Sequence, residues 1–139
     1  MRTVIQSGGR KQAWPVILFL ILAVGLPHEA RAHASLVRAQ PAPGSTVRAP
    51  AQIDLWFNEL LEDGFNSVAV IPTEELNLNP GEQFNLALGA PTVDPQDHTH
   101  LRVQVAPMPA GDYLVEWRVL SRDGHSATGR FSFRVVGSP

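Results

Sequence analysis

Apolar and polar residues alternate along several short stretches of this 139-residue chain, and the alternation limits the folds available to it. In HTHLRVQV (98–105), the leucine and the two valines fall on one face of an extended backbone. DYLVEWRVL (112–120) and GRFSFRVV (129–136) alternate in the same way. A period of two, in short runs separated by turn residues, is typical of antiparallel strands. The sequence therefore predicts an all-β protein, an immunoglobulin-like β-sandwich of about seven strands.

Further details of the sequence agree with such a sandwich. MPAGDY (108–113) places a tight turn before a strand that opens with Tyr113, which suits the tyrosine corner of immunoglobulin-like domains. Residues 72–97 are rich in Pro, Asn, Gly and acids, and predict a long connection that is functional or mobile. We interpret Trp56 and Trp117 as core or near-core aromatic residues rather than as a stacking platform.

The first 32 residues have the three parts of a secretory signal peptide. Two arginines and a lysine precede residues 13–26, a run that is uncharged and mostly aliphatic. That run is shorter than the roughly 20 apolar residues that a membrane-spanning helix needs. An Ala-Arg-Ala triplet ending at Ala32 fits the small-residue rule for cleavage. We expect residues 1–32 to be a signal peptide that is removed after Ala32, leaving one exported domain, residues 33–139. An uncleaved N-terminal anchor is the alternative.

Composition excludes several classes of function. The chain contains no cysteine, so disulfides, thiolate metal sites and thiol catalysis are excluded. Between residues 33 and 139, seven arginines face twelve acidic residues and lysine is absent, which gives a net charge of −5. Such a charge argues against nucleic acid as a partner and suits a protein that attracts cations.

His33 would become the first residue after this cleavage, which brings two nitrogen donors to one place. Its α-amino group and its imidazole Nδ1 can close a chelate ring on one metal ion, once the amine has lost its proton. Copper(II) heads the divalent series in affinity for nitrogen sites. The alternative is a histidine that follows the cut by chance.

A second group of potential ligands lies in SRDGHSATG (121–129), between the last two predicted strands. Asp123 and His125 are two residues apart, and this spacing in extended backbone puts both side chains on the same side. A carboxylate and an imidazole could complete a tetragonal N,O site with His33, a geometry that copper(II) prefers. The alternative is a polar β-turn, because Asp-Gly is a strong hairpin dipeptide.

These residues belong to three stretches that resemble the CopC/PcoC family of periplasmic copper-binding proteins. HASLVRAQPAPGS (33–45) looks like the family's N-terminal segment, and IDLWFNELL (53–61) resembles its second strand and the acidic residue that follows. AGDYLVEWRVLSRDGHSATGRFSFRV (110–135) is similar to the family's most specific stretch. The resemblance covers almost all of the mature chain, and the three stretches occur in the family's order.

The resemblance implies a seven-stranded Greek-key sandwich that binds copper, with one Cu(II) ion per chain. Carried over onto this sequence, the metal ligands are the amine and imidazole of His33, the Asp123 carboxylate and the His125 imidazole. Glu59 falls on the family's acidic residue near the amine, where it would orient a ligand by hydrogen bonding. The resemblance also implies a non-enzymatic periplasmic protein that sequesters or delivers copper, with a separate CopD-type inner-membrane copper transporter as its partner.

The sequence departs from the family in its methionines. Some members hold Cu(I) with a methionine-rich loop, whereas residues 72–97 contain no methionine and Met108 is the only one after residue 32. Because Cu(I) needs soft sulfur ligands, we expect no dedicated Cu(I) site. We interpret His98 and His100 as solvated residues on the polar face of a strand, with a weak accessory metal site as the alternative.

Two other functions remain as alternatives. An N-terminal histidine brace on a β-sandwich also occurs in copper monooxygenases that act on polymers, but these need an open coordination position that Asp123 would fill. A metal-free immunoglobulin-like interaction module is the second alternative, and it requires that the cut does not fall at His33.

Overall fold

The computed structural model describes residues 33–137, which form two four-stranded β-sheets. The predicted signal peptide, residues 1–32, lies outside the described residues. One sheet has the strand order β1-β3-β6-β5 and the other has the order β2-β8-β7-β4. The eight strands are β1 (Leu36–Gln40), β2 (Thr46–Arg48), β3 (Gln52–Phe57), β4 (Ser67–Pro72), β5 (Thr92–Val93), β6 (His100–Gln104), β7 (Gly111–Leu120) and β8 (Ser126–Val136).

Strand pairing is antiparallel except between β2 and β8, which are parallel. β7 and β8 are the longest strands, and they pair from Leu120↔Ser126 at their connecting turn to Gly111↔Val135 at the other end. This hairpin forms the centre of the second sheet. Within residues 33–137, no helix is long and apolar enough to cross a membrane.

The alternating apolar residues build the core between the two sheets, as the sequence predicted. The side chains from β6, β7 and β8 that are buried there are Leu101, Val103, Tyr113, Val115, Trp117, Val119, Phe131, Phe133 and Val135. β3 alternates in the same way, and its core residues Ile53, Leu55 and Phe57 are at most 3% exposed. Burial of apolar surface is the main favourable contribution to such a fold. The predicted all-β sandwich is therefore confirmed.

Tyr113 makes the expected tyrosine corner. It is buried, and its hydroxyl donates a hydrogen bond to the backbone carbonyl of Pro109, four residues upstream, at 2.7 Å. Burial raises the pKa of this hydroxyl, with a smaller contribution from the Glu74 charge. A buried hydroxyl without a hydrogen-bond partner would destabilise the fold, so the bond to Pro109 is maintained. It holds the start of β7 against the preceding turn.

The two tryptophans have different environments. Trp117 is buried, and its ring meets Phe57 edge-on with a centroid distance of 5.0 Å, so its predicted core position is confirmed. The same prediction is wrong for Trp56, which alternates with buried neighbours on β3 and is only half-buried on the outward face. Trp56 stacks on His100, and the guanidinium of Arg38 makes a cation–π contact with its ring, 4.3 Å from the ring centroid.

The long connection at 72–97 contains more regular structure than its composition suggested. It includes a 3-10 helix at Thr73–Glu75 and the short strand β5. Leu86 is buried in the core, its N–H donates to Val70 O and its carbonyl accepts from Ala106 N, both at 2.8 Å. The connection is therefore anchored in its middle, because a buried leucine cannot leave the core without exposing its apolar surface.

Candidate metal site

The candidate ligands lie where three separate stretches of the chain meet at one end of the sandwich. These are the N-terminal residues of the described part (residues 33–35 before β1, called the N-terminal residues below), the crossing segment (residues 58–62 after β3) and the hairpin turn (residues 121–125 between β7 and β8). The crossing segment is hydrogen-bonded through its backbone to both of the other stretches. It therefore links the first sheet, which contains β3, to the second sheet, which contains the hairpin.

Asp123 and His125 are brought together by the hairpin turn. Ser121 N donates to His125 O and Gly124 N donates to Ser121 O, both at 2.9 Å, while Gly124 has a φ of +88°. His125 N also donates to Asp123 Oδ1 at 3.1 Å, so the aspartate closes the turn with its own side chain. The predicted proximity is observed, but the explanation from extended backbone is wrong, because these residues form a turn.

The side chains of this pair also interact. His125 Nδ1 lies 3.0 Å from Asp123 Oδ2, and the two side chains are 57% and 47% exposed. The backbone N–H of His125 and then its ring hold the pKa of the Asp123 carboxyl below its ordinary value of 3.8. The carboxylate is therefore ionised at neutral pH and available to a cation from solvent.

His33 lies beside this pair. Its ring and that of His125 meet edge-on, with a centroid distance of 6.3 Å and an interplanar angle of 86°. The structure thus brings His33, Asp123 and His125 into one neighbourhood. They are not arranged as a finished coordination shell, since no group of three or more His, Asp or Glu side chains within residues 33–137 has metal-binding geometry.

Glu59 is placed by its neighbours in the crossing segment. On one side, Asn58 N donates to Ser35 O at 3.1 Å, and on the other, Leu60 O accepts from Arg122 N at 2.9 Å. Glu59 is half-buried between these two attachments. Its backbone therefore lies between the N-terminal residues and the hairpin turn, although its carboxylate forms no metal-binding cluster with the other candidates within the described residues.

His98 does not lie on a solvated strand face, as the sequence had suggested. It precedes β6 in a turn, and its Nδ1 lies 2.8 Å from Nη2 of Arg122, the residue before Asp123. Since a guanidinium can only donate, His98 Nδ1 is the acceptor. The His98 carbonyl also accepts from Leu61 N at 2.8 Å. His98 therefore ties the hairpin turn to the crossing segment.

His100 has a third environment, away from the candidate ligands. Its side chain is only 13% exposed, because the ring stacks on Trp56 with a centroid distance of 4.3 Å. Its Nε2 lies 2.7 Å from Asp54 Oδ1 and its Nδ1 lies 3.6 Å from Asp94 Oδ2. The solvated description is wrong here too, because β3 pairs Trp56 directly with His100. His98 and His100 point to separate partners rather than to a shared site.

Sequence reasoning missed Asn58 and Arg122, which attach the N-terminal residues and the hairpin turn to the rest of the molecule. Asn58 had a recognisable signal, because an asparagine directly after a strand often completes backbone hydrogen bonds with its side chain. Arg122 had none, since its partner His98 is 24 residues away along the chain.

Comparison with known proteins gives a consistent set of similarities. The family model described as CopC domain matches residues 36–136. Copper resistance protein C of Pseudomonas syringae pv. tomato is 35% identical over 106 residues, which are 76% of this chain and 82% of that protein. The crystal structure of PcoC, a methionine-rich copper resistance protein from Escherichia coli, has 33% identity and a TM-score of 0.61, covering 76% of this chain and all of that one. The crystal structure of CopC from Methylosinus trichosporium OB3b has 26% identity and a TM-score of 0.63, covering 74% and 93% of the two chains.

The matched region contains three of the four candidate residues. Glu59, Asp123 and His125 lie within residues 36–136, whereas His33 precedes the match by three residues. His33 is therefore a candidate ligand because it lies beside His125 and because of the predicted cleavage, and not because of the family-model match.

Proposed function

This chain belongs to the CopC family, and from that premise we propose that it is a non-enzymatic copper-binding protein of the periplasm that holds one Cu(II) ion per chain. The observation that carries this proposal is the meeting of the His33 and His125 rings, 6.3 Å apart, with the Asp123 carboxylate against His125. Two imidazoles and a carboxylate, exposed on a protein of net negative charge, suit a divalent cation that prefers nitrogen and oxygen donors.

Each candidate ligand has a defined part in this site. After cleavage behind Ala32, His33 supplies its amine and imidazole as a chelate. His125 supplies Nε2, because its Nδ1 is directed at Asp123, and a carboxylate in that position commonly orients a metal-binding imidazole. The exposed carboxylate of Asp123 supplies an oxygen ligand. Glu59 would act from the crossing segment by accepting a hydrogen bond from the amine or from water.

The donor set favours Cu(II) over Cu(I). The proposed ligands are nitrogen and oxygen, and the chain has no cysteine. Met108, the only methionine after residue 32, is 6% exposed and belongs to the core cluster, so its thioether is not presented to solvent. Cu(I) prefers soft sulfur ligands, which this surface does not offer within the described residues. The protein would therefore sequester or deliver the oxidised ion, with a CopD-type membrane transporter as the proposed partner.

Intact mass of the exported protein, with and without one equivalent of Cu(II), tests this proposal. We expect a mature chain that begins at His33 and retains one copper ion under native conditions. The matched control is His100→Ala, which removes a histidine that contacts Trp56 and Asp54 away from the proposed ligands, against His125→Ala, which removes a ligand. A mature chain with a different first residue would contradict the amine chelate, and equal copper retention in the two variants would contradict the proposed site.

A further inference from the structure

One side chain, that of Asn58, adds a hydrogen bond that attaches residues 33–35 to the sandwich. Ser35 N donates to Asn58 Oδ1 at 2.6 Å, and Asn58 N donates back to Ser35 O at 3.1 Å. The preceding rung of this ladder is the ordinary pair Leu36↔Phe57 between β1 and β3. In a hydrogen-bonded antiparallel pair the two residues exchange both N–H···O bonds. Ser35 and Asn58 make the same exchange, except that an amide side chain replaces a backbone carbonyl.

Because the acceptor is a side-chain oxygen, Asn58 can bond to Ser35 while its backbone turns away from β3. Asn58 lies in a bend, where the chain leaves β3 and enters the crossing segment. A backbone carbonyl at position 58 would turn with the chain, whereas the side-chain carbonyl reaches back to Ser35. The ladder is thus extended by one rung while the backbone departs toward Leu60 and the hairpin turn.

The extra rung limits the freedom of His33. Ala34 is 4% exposed and packs into the core cluster, and Ser35 Oγ donates to the carbonyl of His33 at 3.2 Å. With Ser35 held by Asn58 and Ala34 buried, the chain is fixed up to the residue that follows His33. Chain termini are ordinarily poorly ordered unless they are tied down in this way.

We propose that Asn58 is a positioning residue for copper binding, which acts through Ser35 to keep the amine and imidazole of His33 beside His125. This inference rests on the proposed function and adds to it a residue that touches neither the metal nor its ligands. Both Asn58 and Ser35 are exposed, so their contact contributes little to the core, and its role is to restrict the N-terminal residues.

The test compares Asn58→Ala, which removes the side-chain acceptor, with Asn58→Asp, which keeps a carbonyl-type oxygen in the same place. Three quantities are measured: hydrogen exchange of the Ser35 amide without metal, the Cu(II) Kd by chelator competition, and the thermal midpoint. In Asn58→Ala we expect faster exchange at Ser35, a Kd raised about tenfold, as for loss of other residues that orient ligands, and a thermal midpoint close to wild type. Asn58→Asp should restore both the slow exchange and the tight binding.

Making Asn58→Ala in a second parent chain distinguishes a loss of His33 positioning from a general loss of structure. Adding one alanine ahead of His33 converts the His33 amine into a peptide amide and moves the terminal amine to the alanine, which abolishes the amine–imidazole chelate of His33 that Asn58 would position. In that background Asn58→Ala should change the Kd far less than in the chain that begins at His33. An equal fold-change in both backgrounds would overturn the proposal, and so would an unchanged Ser35 exchange rate or an unchanged Kd in Asn58→Ala. Failure of the wild-type chain itself to bind Cu(II) would contradict the proposed function, and the role of Asn58 with it.

Discussion

Asp123 can act on a bound ion in two ways, by orienting the His125 imidazole or by ligating the ion itself. Its Oδ1 accepts the backbone N–H of His125, and its Oδ2 lies against His125 Nδ1. The carboxylate therefore orients the imidazole in the metal-free protein. To become a ligand as well, Oδ2 must turn toward the ion, which its 47% exposure permits.

Replacing Asp123 tests which relation controls affinity. We expect Asp123→Asn to weaken Cu(II) binding nearly as much as Asp123→Ala, because a neutral amide oxygen is a poor substitute for an anionic ligand. Glu59→Gln should cost less than either, within the 10–100-fold range for residues that orient ligands. Chelator-competition titrations would rank the three variants. Near wild-type affinity in Asp123→Asn would show that Asp123 only orients His125.

At the scale of the element, the β7–β8 hairpin depends on a glycine within a strand. Gly129 pairs with Trp117, and a Cβ built on Gly129 would lie 2.2 Å from Cζ2 of the indole. The tryptophan ring therefore occupies the space above this residue, and the ring of Phe57 packs edge-on against the same indole. A glycine in a strand interior often marks such a close approach.

Gly129→Ala should destabilise the protein, because neither the backbone nor the buried indole can yield without disturbing the core. Overpacking of this kind costs about 1–3 kcal/mol of unfolding free energy. Gly111→Ala is the matched control in the same hairpin, since the nearest atom to its added Cβ would be 3.9 Å away. Urea unfolding of both variants measures the difference, and equal stabilities would show that Trp117 repacks freely.

The inward-facing residues of the strands were predictable from the sequence, whereas the surroundings of the outward-facing residues were not. Alternation predicts which side of a strand faces the core, so the burial of Val115 and Val119 followed directly. It does not predict what covers the other side. His100 is enclosed by Trp56 from β3 and flanked by Asp94 from the connection before β6, contacts that only the tertiary fold creates. The sequence also predicted that Asp123 and His125 lie side by side, and they do, but a turn brings them together rather than extended backbone.

For the molecule as a whole, exposed carboxyl groups with lowered pKa values make the free energy of unfolding depend on pH in the acid range. Hydrogen bonds from Arg134 hold the pKa of Asp112 below 3.8, and hydrogen bonds from Thr99 do the same for Asp97. Lowered folded-state pKa values mean that the folded protein binds fewer protons than the unfolded chain in this range. Their contribution is therefore complete above the ordinary pKa and is lost as the pH falls through the lowered values.

The metal-free protein should accordingly lose unfolding free energy as the pH falls over the interval from about pH 5 down through these lowered pKa values. Asp112→Asn removes one contributing carboxyl, so its stability should fall less steeply over that interval. Urea unfolding at several pH values measures both slopes. Parallel slopes for the two proteins would show that the Asp112–Arg134 ion pair, which joins β7 to β8, is fully screened by solvent.

The crossing segment also has a consequence for the order in which the protein folds. Its residue Asn58 is hydrogen-bonded to Ser35, 23 residues earlier in the chain. Its residue Leu60 is hydrogen-bonded to Arg122 of the hairpin turn, about sixty residues later. Contacts between such distant residues form only after the intervening loops have closed, which makes them late events. With the predicted export and cleavage after Ala32, His33 would be the first residue of the mature chain to emerge, yet His125 joins it only when the last hairpin is in place. The nascent chain should therefore hold metal weakly, and tight capture would begin only with the completed sandwich.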